Sequence, residues 1–539
     1  MTMIIADQRP IGANTLINQK ALGPGLGVNA SNLDSSQGDF RGRRAATTVH
    51  TLVGYSSTQQ NSLYRMGRET ASDTQYWLAF TVDVDFARSL LANDTTERTY
   101  GTAGSFTKPS YTDNTFLGST PYPTGYYFMG IPAPATGMTA AVNTTGTGNN
   151  ESRVYVSTYI RYNDDEGPPS QPVTLICPAG STVDLTDFPS DPSSTYGVTK
   201  RRIYVSTGGD FRLCVDSTVL ATATLTDAGT RGEILQTGGS TAKPDWVAPD
   251  DNMIGLIELW NGMHGGFYKN QYGTCVPYKP HAWPVVYRRQ VPDRIIGTAK
   301  FGDSWVLATS GIPRVVRGSS PEGMLDKPIP LQEGCVAKRS VVSVGHGVCW
   351  ASNRGLCYYG QNGAMVLTRN IFTEAQWQAL VPSTILGAFW QGWYLGFYND
   401  GTRKGFMIPV DDPSGVIFLT QGAYATFSDP LSGTLYILDS SNVIKKWDAG
   451  TVASATFKSR VFRHPRGVTP GAARIIGTTY PVTFSLWADG DLKVNALSVT
   501  SDNAFRLPSG YTAEEFQYQI VGTGPIEGVF VAEEFVDLP

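Results

Sequence analysis

The feature that most constrains this chain is a repeat between residues 253 and 447. In each copy a short apolar strand is followed by a Gly, Asn or Asp turn, an aromatic-rich strand, a second turn and a third strand. The five copies begin near Met253, Arg294, Ser340, Thr384 and Tyr424, so neighbouring starts lie 40–46 residues apart. Strand repeats of roughly 40–45 residues are typical of β-propeller blades, which stack around an axis because one blade cannot bury both faces of its sheet. The repeat therefore predicts an architecture and leaves the function open.

A different β pattern precedes the repeat. Residues 153–160 alternate between apolar and polar side chains, as a half-buried strand does, and residues 202–206 form another such strand closed by Gly208 and Gly209. The first strand runs into the turn Glu-Gly-Pro-Pro-Ser at residues 166–170. This combination resembles the fibronectin type III pattern, in which a Gly-x-Pro-Ser turn follows an aromatic strand. It predicts a small β-sandwich.

The chain of 539 residues is long enough for three or four domains at about 100–200 residues each. We expect an all-β protein built around the propeller. The expected regions are an N-terminal β-rich region over 1–150 that contributes a platform or part of the propeller, the fibronectin type III-like sandwich over 151–245, propeller blades over 246–450 and a C-terminal β module over 451–539. Flexible residues 146–150 and the prolines Pro244 and Pro249 flank the sandwich, so we expect it to fold independently and to project from the propeller.

Two short segments predict helices, and four aromatic residues predict the blade core. Residues 373–380 begin with a Thr-x-x-Gln capping box and are followed by Pro382, which favours a helix between two blades. Residues 85–91 favour a second short helix. Trp305, Trp350, Trp390 and Tyr436 occupy roughly equivalent places in successive repeats, so we expect them to be the buried aromatic residues of their blades.

Charge and cysteine content limit the partners and the compartment. The net charge is −4, whereas a sequence-specific DNA-binding protein is expected to carry a strong basic excess. The N-terminus does not read as a secretory signal, and no apolar run approaches the ~20 residues that span a bilayer. The six cysteines show no Cys-x-x-Cys pair, so we expect buried thiols in a reducing compartment. They are Cys177, Cys214, Cys275, Cys335, Cys349 and Cys357.

Acidic and histidine residues give few candidates for catalysis. Asp83 and Asp85 lie on one face of a strand, while residues 164–166 and 411–412 form acidic turns. Two carboxylates ~5–10 Å apart can hydrolyse glycosides, but acidic turns are more often solvated loops. None of the five histidines has metal-ligand spacing to another His or Cys. They are His50, His264, His281, His346 and His464. We therefore predict no catalytic, cofactor-binding or metal-binding residues, and a glycosidase propeller is the leading enzymatic alternative.

Basic pairs are dispersed along the chain. We interpret them as solvated turns or subunit contacts, or alternatively as weak phosphate contacts without base readout. They are Arg43-Arg44, residues 200–202, Arg288-Arg289, Lys338-Arg339 and Lys445-Lys446.

Several segments in a fixed order resemble the tail nozzle, or tail tubular protein B-like, family of short-tailed bacteriophages. The resemblance covers most of residues 40–520, and no single motif is diagnostic of a chemistry. The segments are 262–268 (GMHGGFY), 280–284 (PHAWP), 308–313 (ATSGIP), 318–321 (GSSP), 338–340 (KRS), 355–356 (GL), 372–377 (FTEAQW) and 505–511 (FRLPSGY). The sandwich before the propeller is also similar to these proteins.

The resemblance implies a non-enzymatic virion protein without cofactors. Such proteins form a homo-oligomeric, hexameric ring below the portal and adaptor, contact tail fibre or spike proteins, and surround genomic double-stranded DNA during ejection. The implied location is the virion tail, after assembly in the host cytoplasm. Near-neutral charge agrees with this role because each neutralised phosphate adds affinity that would oppose sliding.

Two other functions remain open at this stage. A glycan-binding or glycan-hydrolysing propeller would need clustered carboxylates and Trp residues at one mouth of the propeller. A tail spike or fibre protein should show a trimeric β-helix repeat of shorter period, and no such repeat is present in the sequence.

Overall fold

The computed structural model describes residues 3–55, 60–66, 72–92, 94–104, 106–206, 209–217, 219–228 and 242–539. Strands hold 46 % of the residues and helices 5 %, which confirms the all-β class. The molecule consists of a propeller, a sandwich inserted into it, and a module made from both ends of the chain.

Five sheets correspond to the five sequence repeats, and we number them blades 3–7. Each first strand begins one or two residues after the start of its repeat, so the propeller prediction is confirmed. Blade 3 contains Ile254–Glu258, His264–Tyr268, Gln271–Thr274 and Arg289–Gln290; blade 4 contains Ile295–Phe301, Ser304–Thr309, Arg314–Arg317 and Leu325–Pro328; blade 5 contains Val342–Ser343, Gly347–Ala351, Leu356–Gly360 and Gly363–Val366; blade 6 contains Leu386–Trp390, Trp393–Asn399, Arg403–Pro409 and Ile417–Leu419; blade 7 contains Ala425–Ser428, Leu435–Leu438, Val443–Lys446 and, as its outer strand, Thr47–Thr51.

Two more sheets, earlier in the chain, complete a ring of seven. Blade 1 has the strands Ser62–Arg65 and Trp77–Phe80, and blade 2 has Asp85–Arg88, Thr99–Thr102, Ser110–Thr112 and Tyr127–Phe128. The prediction of a helix over residues 85–91 is therefore wrong. Asp85–Arg88 pairs along its whole length with Thr99–Thr102, and this tertiary pairing overrides a weak local helix preference.

Aromatic side chains join each blade to the next, and this closes the ring. The seam between the first and last blades is made by Tyr64 and Phe427, whose ring centroids lie 5.3 Å apart. Between blades 5 and 6 the Tyr394 hydroxyl donates a hydrogen bond to the Ser340 carbonyl at 3.0 Å. At the other five seams two rings meet, with centroid distances in ring order of 5.0 Å for Tyr64–Phe86, 5.2 Å for Tyr100–His264, 5.5 Å for Tyr272–Trp305, 5.9 Å for Phe301–Tyr359 and 6.0 Å for Phe397–Trp447. Because Thr47–Thr51 supplies the outer strand of blade 7, backbone hydrogen bonds between distant parts of the chain also close the propeller.

The predicted equivalence of four aromatic residues holds for three of them. Trp305, Trp350 and Tyr436 lie in the second strands of their blades and are buried. Trp390 instead ends the first strand of blade 6, where it pairs with Trp393 and is only half-buried. The buried aromatic residues of the second strand in blade 6 are Tyr394, Phe397 and Tyr398. Two closely spaced tryptophans flank the tight Gln-Gly turn, so spacing alone aligned the wrong residue.

The inserted region between blades 2 and 3 is a two-sheet sandwich, but its first strand, Thr139–Thr144, lies before the predicted flexible boundary at residues 146–150. One sheet contains Thr139–Thr144, Thr182–Thr186 and Leu225–Asp227, and the other contains Val173–Pro178, Asn150–Arg161, Val198–Ser206 and Arg212–Asp216. It has its own core around Tyr155, Val183 and Ile203. Gly208 lies outside the described residues, whereas the predicted exit prolines Pro244 and Pro249 lie within them.

The two ends of the chain form one terminal module of two packed sheets. The first sheet contains Met3–Asp7, Ile526–Ala532, Ala472–Gly477 and Phe505–Arg506; the second contains Gly12–Ala13, Leu26–Ser31, Ala455–Ser459, Phe462–Val468, Ala513–Gly522, Val482–Ala488 and Asp491–Val499. A parallel pair between Ser31 and Phe418 continues the second sheet into blade 6. The predicted region 1–150 is thus divided among the terminal module, the propeller and the start of the sandwich.

Helical segments are short and lie between strands. The predicted capping-box helix is present as Glu374–Ala379, in which the Thr373 hydroxyl accepts from the Gln376 amide and the Gln376 side chain accepts from the Thr373 amide. Turns of 3₁₀ helix occur at Asn114–Phe116, Ser194–Tyr196, Val285–Tyr287, Lys338–Ser340, Leu367–Asn370, Pro382–Thr384 and Phe535–Asp537. Within the described part of the chain, no helix has the length and apolar character needed to cross a membrane.

The thiols give a first testable prediction. All six cysteines lie in described residues and no disulfide joins them. Burial raises the pKa of Cys275, Cys335 and Cys357 to about 12 and also raises that of Cys349. Because the thiolate is the reactive form, native protein should label slowly at these four positions with a thiol reagent at neutral pH, and unfolded protein rapidly. Fast native labelling at Cys349, located by peptide mass, would contradict the packing of blade 5.

Candidate functional site: the axial channel

The innermost strands of the seven blades enclose a channel along the propeller axis. Its central cavity is about 290 Å³, and every blade contributes to the wall. Lining residues in blade order are Leu63, Phe86, Leu256, Thr298, Val342, Gly387 and Thr426. This volume is at the lower limit of pockets that hold small molecules, so the channel of a single propeller has no room for a nucleic-acid duplex.

Ion pairs cross the axis and close the channel. Lys338, directly before blade 5, places its Nζ 2.9 Å from Asp83 Oδ2 and 2.6 Å from Asp85 Oδ2. Arg339 Nε lies 3.5 Å from Asp83 Oδ1. The carboxylates belong to the start of blade 2, on the opposite side of the seven-membered ring. The two predicted carboxylates therefore act here as partners of a basic pair that sequence spacing did not connect to them.

Backbone geometry fixes Asp85 in this position. The Gly255 amide donates to Asp85 Oδ2 at 2.6 Å. Gly255 has a φ of 68°, and a Cβ at this residue would lie 2.1 Å from the Phe267 ring. Only glycine suits both the left-handed backbone and this close approach, so the inner strand of blade 3 is shaped to meet the carboxylate.

The electrostatics of the bridge favour charged groups. Burial acts to lower the pKa of Lys338, but the charges of Asp85 and Asp83 outweigh it and raise that pKa above its ordinary value. Both carboxylates accept hydrogen bonds from the Lys338 ammonium. Glycoside hydrolysis requires one carboxyl that is protonated and can donate. At Asp83 and Asp85, both carboxylates instead act as acceptors for Lys338.

Substitution of Lys338 tests the closing bridge. Lys338→Met should lower the free energy of unfolding by about 1–3 kcal/mol, because the pair is intermediate between exposed pairs and fully buried ones. Chemical denaturation at neutral pH measures this loss. Lys404→Met is the matched control, since Lys404 forms an exposed pair with Asp400 and should leave stability nearly unchanged. Equal effects of the two substitutions would show that the axial bridge contributes no stability.

Four of the other predicted acidic residues have structural partners. Asp165, whose side chain is 13 % exposed, lies where the sandwich meets the propeller, 3.3 Å from His281 Nδ1 and 3.6 Å from Arg161 Nη1. Glu166 accepts from the Tyr204 hydroxyl at 2.6 Å and pairs with Arg202 at 3.1 Å. Further pairs join Asp164 to Lys200 at 3.0 Å and Asp411 to His346 at 3.1 Å. Thus these four carboxylates are engaged by different partners within the protein, and Asp412 is exposed.

The five histidines also lie in separate places. His50 is in the outer strand of blade 7, His264 is buried between blades 2 and 3, and His464 contacts the Arg466 carbonyl in the terminal module. Among the described residues, no group of three or more His, Cys, Asp and Glu side chains could hold a metal ion.

His264 predicts an acid-sensitive fold. Burial lowers the pKa of His264 to about 4, while its Nε2 donates to the Arg88 carbonyl at 2.9 Å. The folded protein therefore keeps this histidine neutral where the unfolded chain, with a pKa near 6.5, takes up a proton. Stability should fall as the pH drops from about 6.5 towards about 4, by roughly 1.4 kcal/mol for each pKa unit. His264→Asn should flatten this segment of the stability–pH curve, and an unchanged curve would contradict the assignment.

The predicted basic pairs are mostly engaged by groups of the same chain. Lys200, Arg202 and Lys338 pair with carboxylates as described above. Elsewhere Arg43 lies 3.9 Å from Asp448, Arg288 donates to the Ala248 carbonyl at 2.7 Å, and Lys445 lies 2.9 Å from Asp439. These contacts leave few cations available for phosphate groups.

Comparisons with known proteins add no function. No protein-family model and no curated protein matches this chain. Solved structures similar to it include BBS1N in complex with ARL6DN (TM-score 0.26, 11 % identity, 60 % of this chain and 95 % of that chain). Two others are the Pan2 WD40 domain of Neurospora crassa (0.26, 7 %, 51 % and 84 %) and Hsv2 of Kluyvelomyces marxianus (0.24, 9 %, 48 % and 69 %). The propeller assignment accordingly rests on the strand pairing itself.

Proposed function

We propose that this chain is a non-enzymatic structural subunit of a short-tailed bacteriophage tail. In this proposal six copies form a ring-shaped nozzle below the portal and adaptor, and genomic double-stranded DNA passes through the ring during ejection. The observation that carries the proposal furthest is the closed axis. Lys338, next to blade 5, pairs with Asp83 and Asp85 at the start of blade 2 across a cavity of about 290 Å³. The propeller therefore serves as a solid part of the wall, and the conduit for DNA would lie between subunits.

The architecture suits a wall element in two ways. The terminal module continues by strand pairing into blade 6, and the sandwich is joined to blade 2 by hydrogen bonds from Arg161 and Tyr162. A chain built in this way resists relative motion of its parts. The order of segments that resembles the tail nozzle family motivates the specific assignment.

The charge distribution supports weak contact with DNA. The net charge is −4, and the basic pairs contact carboxylates or carbonyls of the same chain. Each phosphate that a protein neutralises adds salt-dependent affinity. A wall of this composition would confine a duplex without holding it. Location in the virion tail, assembly in the host cytoplasm, and contacts with adaptor and fibre or spike proteins belong to the same proposal.

The test combines two measurements, the mass of the assembly in solution and the affinity of the protein for duplex DNA. We expect the purified full chain to form a closed ring at high concentration, measured by sedimentation. It should bind duplex DNA with micromolar or weaker affinity, without sequence preference, and lose that binding as salt rises. Tight, salt-resistant binding to one sequence would overturn the conduit role. A monomer that turns over host polysaccharide, with turnover lost in Asp83→Asn, would replace it with the glycosidase alternative.

A further inference from the structure

We propose that one entrance of the axial channel binds a small oxyanion, a carboxylate or a phosphate group, between Arg339 and Arg403. This entrance lies on the face where the innermost strands begin. The inference uses the described contacts of the propeller and is independent of the proposed place in a phage tail.

A cavity of about 270 Å³ forms this entrance. Asn61, Thr384 and Tyr424, which line it, each come just before the first strand of a blade. Lys338, Arg339 and Arg403 also line it, together with Asp83. The wall is therefore mainly polar and rich in cations, unlike the apolar blade interfaces around it.

The charges at the entrance do not balance. Asp83 and Asp85 together accept from Lys338 and lie beside Arg339. Arg403 is a third cation, and among the described residues it has no carboxylate partner. Burial lowers the pKa of Arg339, and repulsion by Arg403 adds to this effect. Three cations against two carboxylates leave one positive charge in a confined space, which an anion would neutralise.

Both guanidinium groups are held in place by the same segment. Arg403 stacks over the Tyr424 ring at 4.3 Å and its Nη1 donates to the Ala423 carbonyl at 3.2 Å. Arg339 Nη1 donates to the Tyr424 carbonyl at 3.4 Å. The remaining nitrogens of Arg403 have no protein acceptor within the described chain. Two pre-oriented planar donor groups at one cavity are the arrangement that binds carboxylate or phosphate oxygens.

The size of the cavity limits the ligand. A volume of about 270 Å³ is just below the usual range for small-molecule pockets, so it suits a single anionic group and excludes a nucleotide or a sugar chain. Ser383, which is exposed at the rim, adds a hydroxyl donor. The group could come from free phosphate or from a carboxylate on another molecule, and the chemistry recognised is the same.

Titration of the full-length protein tests the site. Inorganic phosphate and glutarate are added separately at constant ionic strength with chloride, and binding is followed by calorimetry and by the melting temperature. We expect saturable binding of at least one anion, and a loss of about tenfold or more in Arg403→Met, because a charge-assisted hydrogen bond is removed. Arg354→Met is the matched control, since Arg354 is 69 % exposed and lies outside the cavity. Anion binding by the Arg354→Met variant should equal that of the wild type.

The two probes identify the source of the anion. Binding of phosphate alone supports a phosphate ligand, and binding of glutarate alone supports a carboxylate of a partner molecule. No response beyond chloride in the wild type would overturn the proposal, as would equal binding by wild type and Arg403→Met. If Arg403→Met does not fold, Arg403→Lys is used instead. It keeps the positive charge but lacks the planar guanidinium that donates two parallel hydrogen bonds, so it should still weaken anion binding. Crystals soaked in selenate provide a direct check: anomalous density between Arg339 and Arg403 is expected, and its absence contradicts the site.

Discussion

Replacing Arg161 with methionine should lower the free energy of unfolding by about 3–5 kcal/mol, the cost of removing one partner from a buried charge cluster. The Arg161 side chain is 1 % exposed. Its Nη2 donates to the Phe128 carbonyl of blade 2 at 2.7 Å, and its Nε donates to the Tyr196 carbonyl of the sandwich at 2.8 Å. The substitution therefore removes one of the contacts that join the sandwich to the propeller, while that between Tyr162 and Asp113 remains.

Asp165 determines the size of this effect. Burial would raise the pKa of Asp165, but His281, Arg161 and Arg98 together hold it well below its usual range. Without Arg161, this largely buried carboxylate loses one of the three side chains that stabilise its charge. The loss should appear at neutral pH as a lower denaturation midpoint.

Arg212→Met is the control for this experiment. Arg212 lies in the same sandwich, where it pairs at 3.8 Å with Asp210, whose side chain is 76 % exposed. An exposed pair contributes about 0–1 kcal/mol, so the control should be nearly neutral. If Arg161→Met were equally mild, the sandwich would be held by something other than this cluster.

Trp350→Ala should cost about 3–5 kcal/mol, because truncating a fully buried aromatic side chain leaves a cavity. Trp350 is 0 % exposed, and its indole Nε1 donates to the Glu333 carbonyl at 3.0 Å. Its neighbours are apolar residues of blades 4 and 5, including Val306 and Val348. Thermal and chemical unfolding should both show the loss.

Trp390→Ala provides a matched comparison of the same residue type. Trp390 is only half-buried at the end of its strand and lies under the Arg43 guanidinium at 5.4 Å. We expect a clearly smaller loss of stability than for Trp350→Ala. If the two substitutions cost the same stability, Trp390 would be as buried as Trp350, which would contradict its half-buried position at the end of the first strand of blade 6.

The propeller was predictable because its repeat is a local, periodic signal. The starts at Met253 and Arg294 each precede the first residue of a blade directly. Region 1–150 was predicted only to contribute a platform or part of the propeller, and blade 2 was not distinguished within it because its strands are two to four residues long. The outer strand of blade 7 comes from residues 47–51. Such long-range pairing leaves no periodic trace in the sequence.

The candidate site was only partly predictable. Spacing placed Asp83 and Asp85 on one strand face, and the adjacent cations Lys338 and Arg339 were visible as a pair. Their contact joins residues separated by 253 positions or more, and only the ring geometry brings them together. Arg403 carried no signal at all, since its role depends on stacking against Tyr424.

Independent folding of the sandwich remains a prediction. Its separate core around Tyr155 and Ile203 supports it. In isolation, however, Arg161 would lose its acceptors on blade 2, the carbonyls of Phe128 and Gly130. We therefore expect the isolated segment to unfold cooperatively but at lower temperature than the same segment within the full chain.

Electron cryo-microscopy of the assembled particle tests the central claim most directly. The account predicts a closed ring of six copies, with an open lumen between subunits that is wide enough for a duplex. Each propeller axis should remain closed by Lys338 with Asp83 and Asp85. A particle without a common lumen, or duplex density that runs through the axis of an individual propeller, would contradict the account.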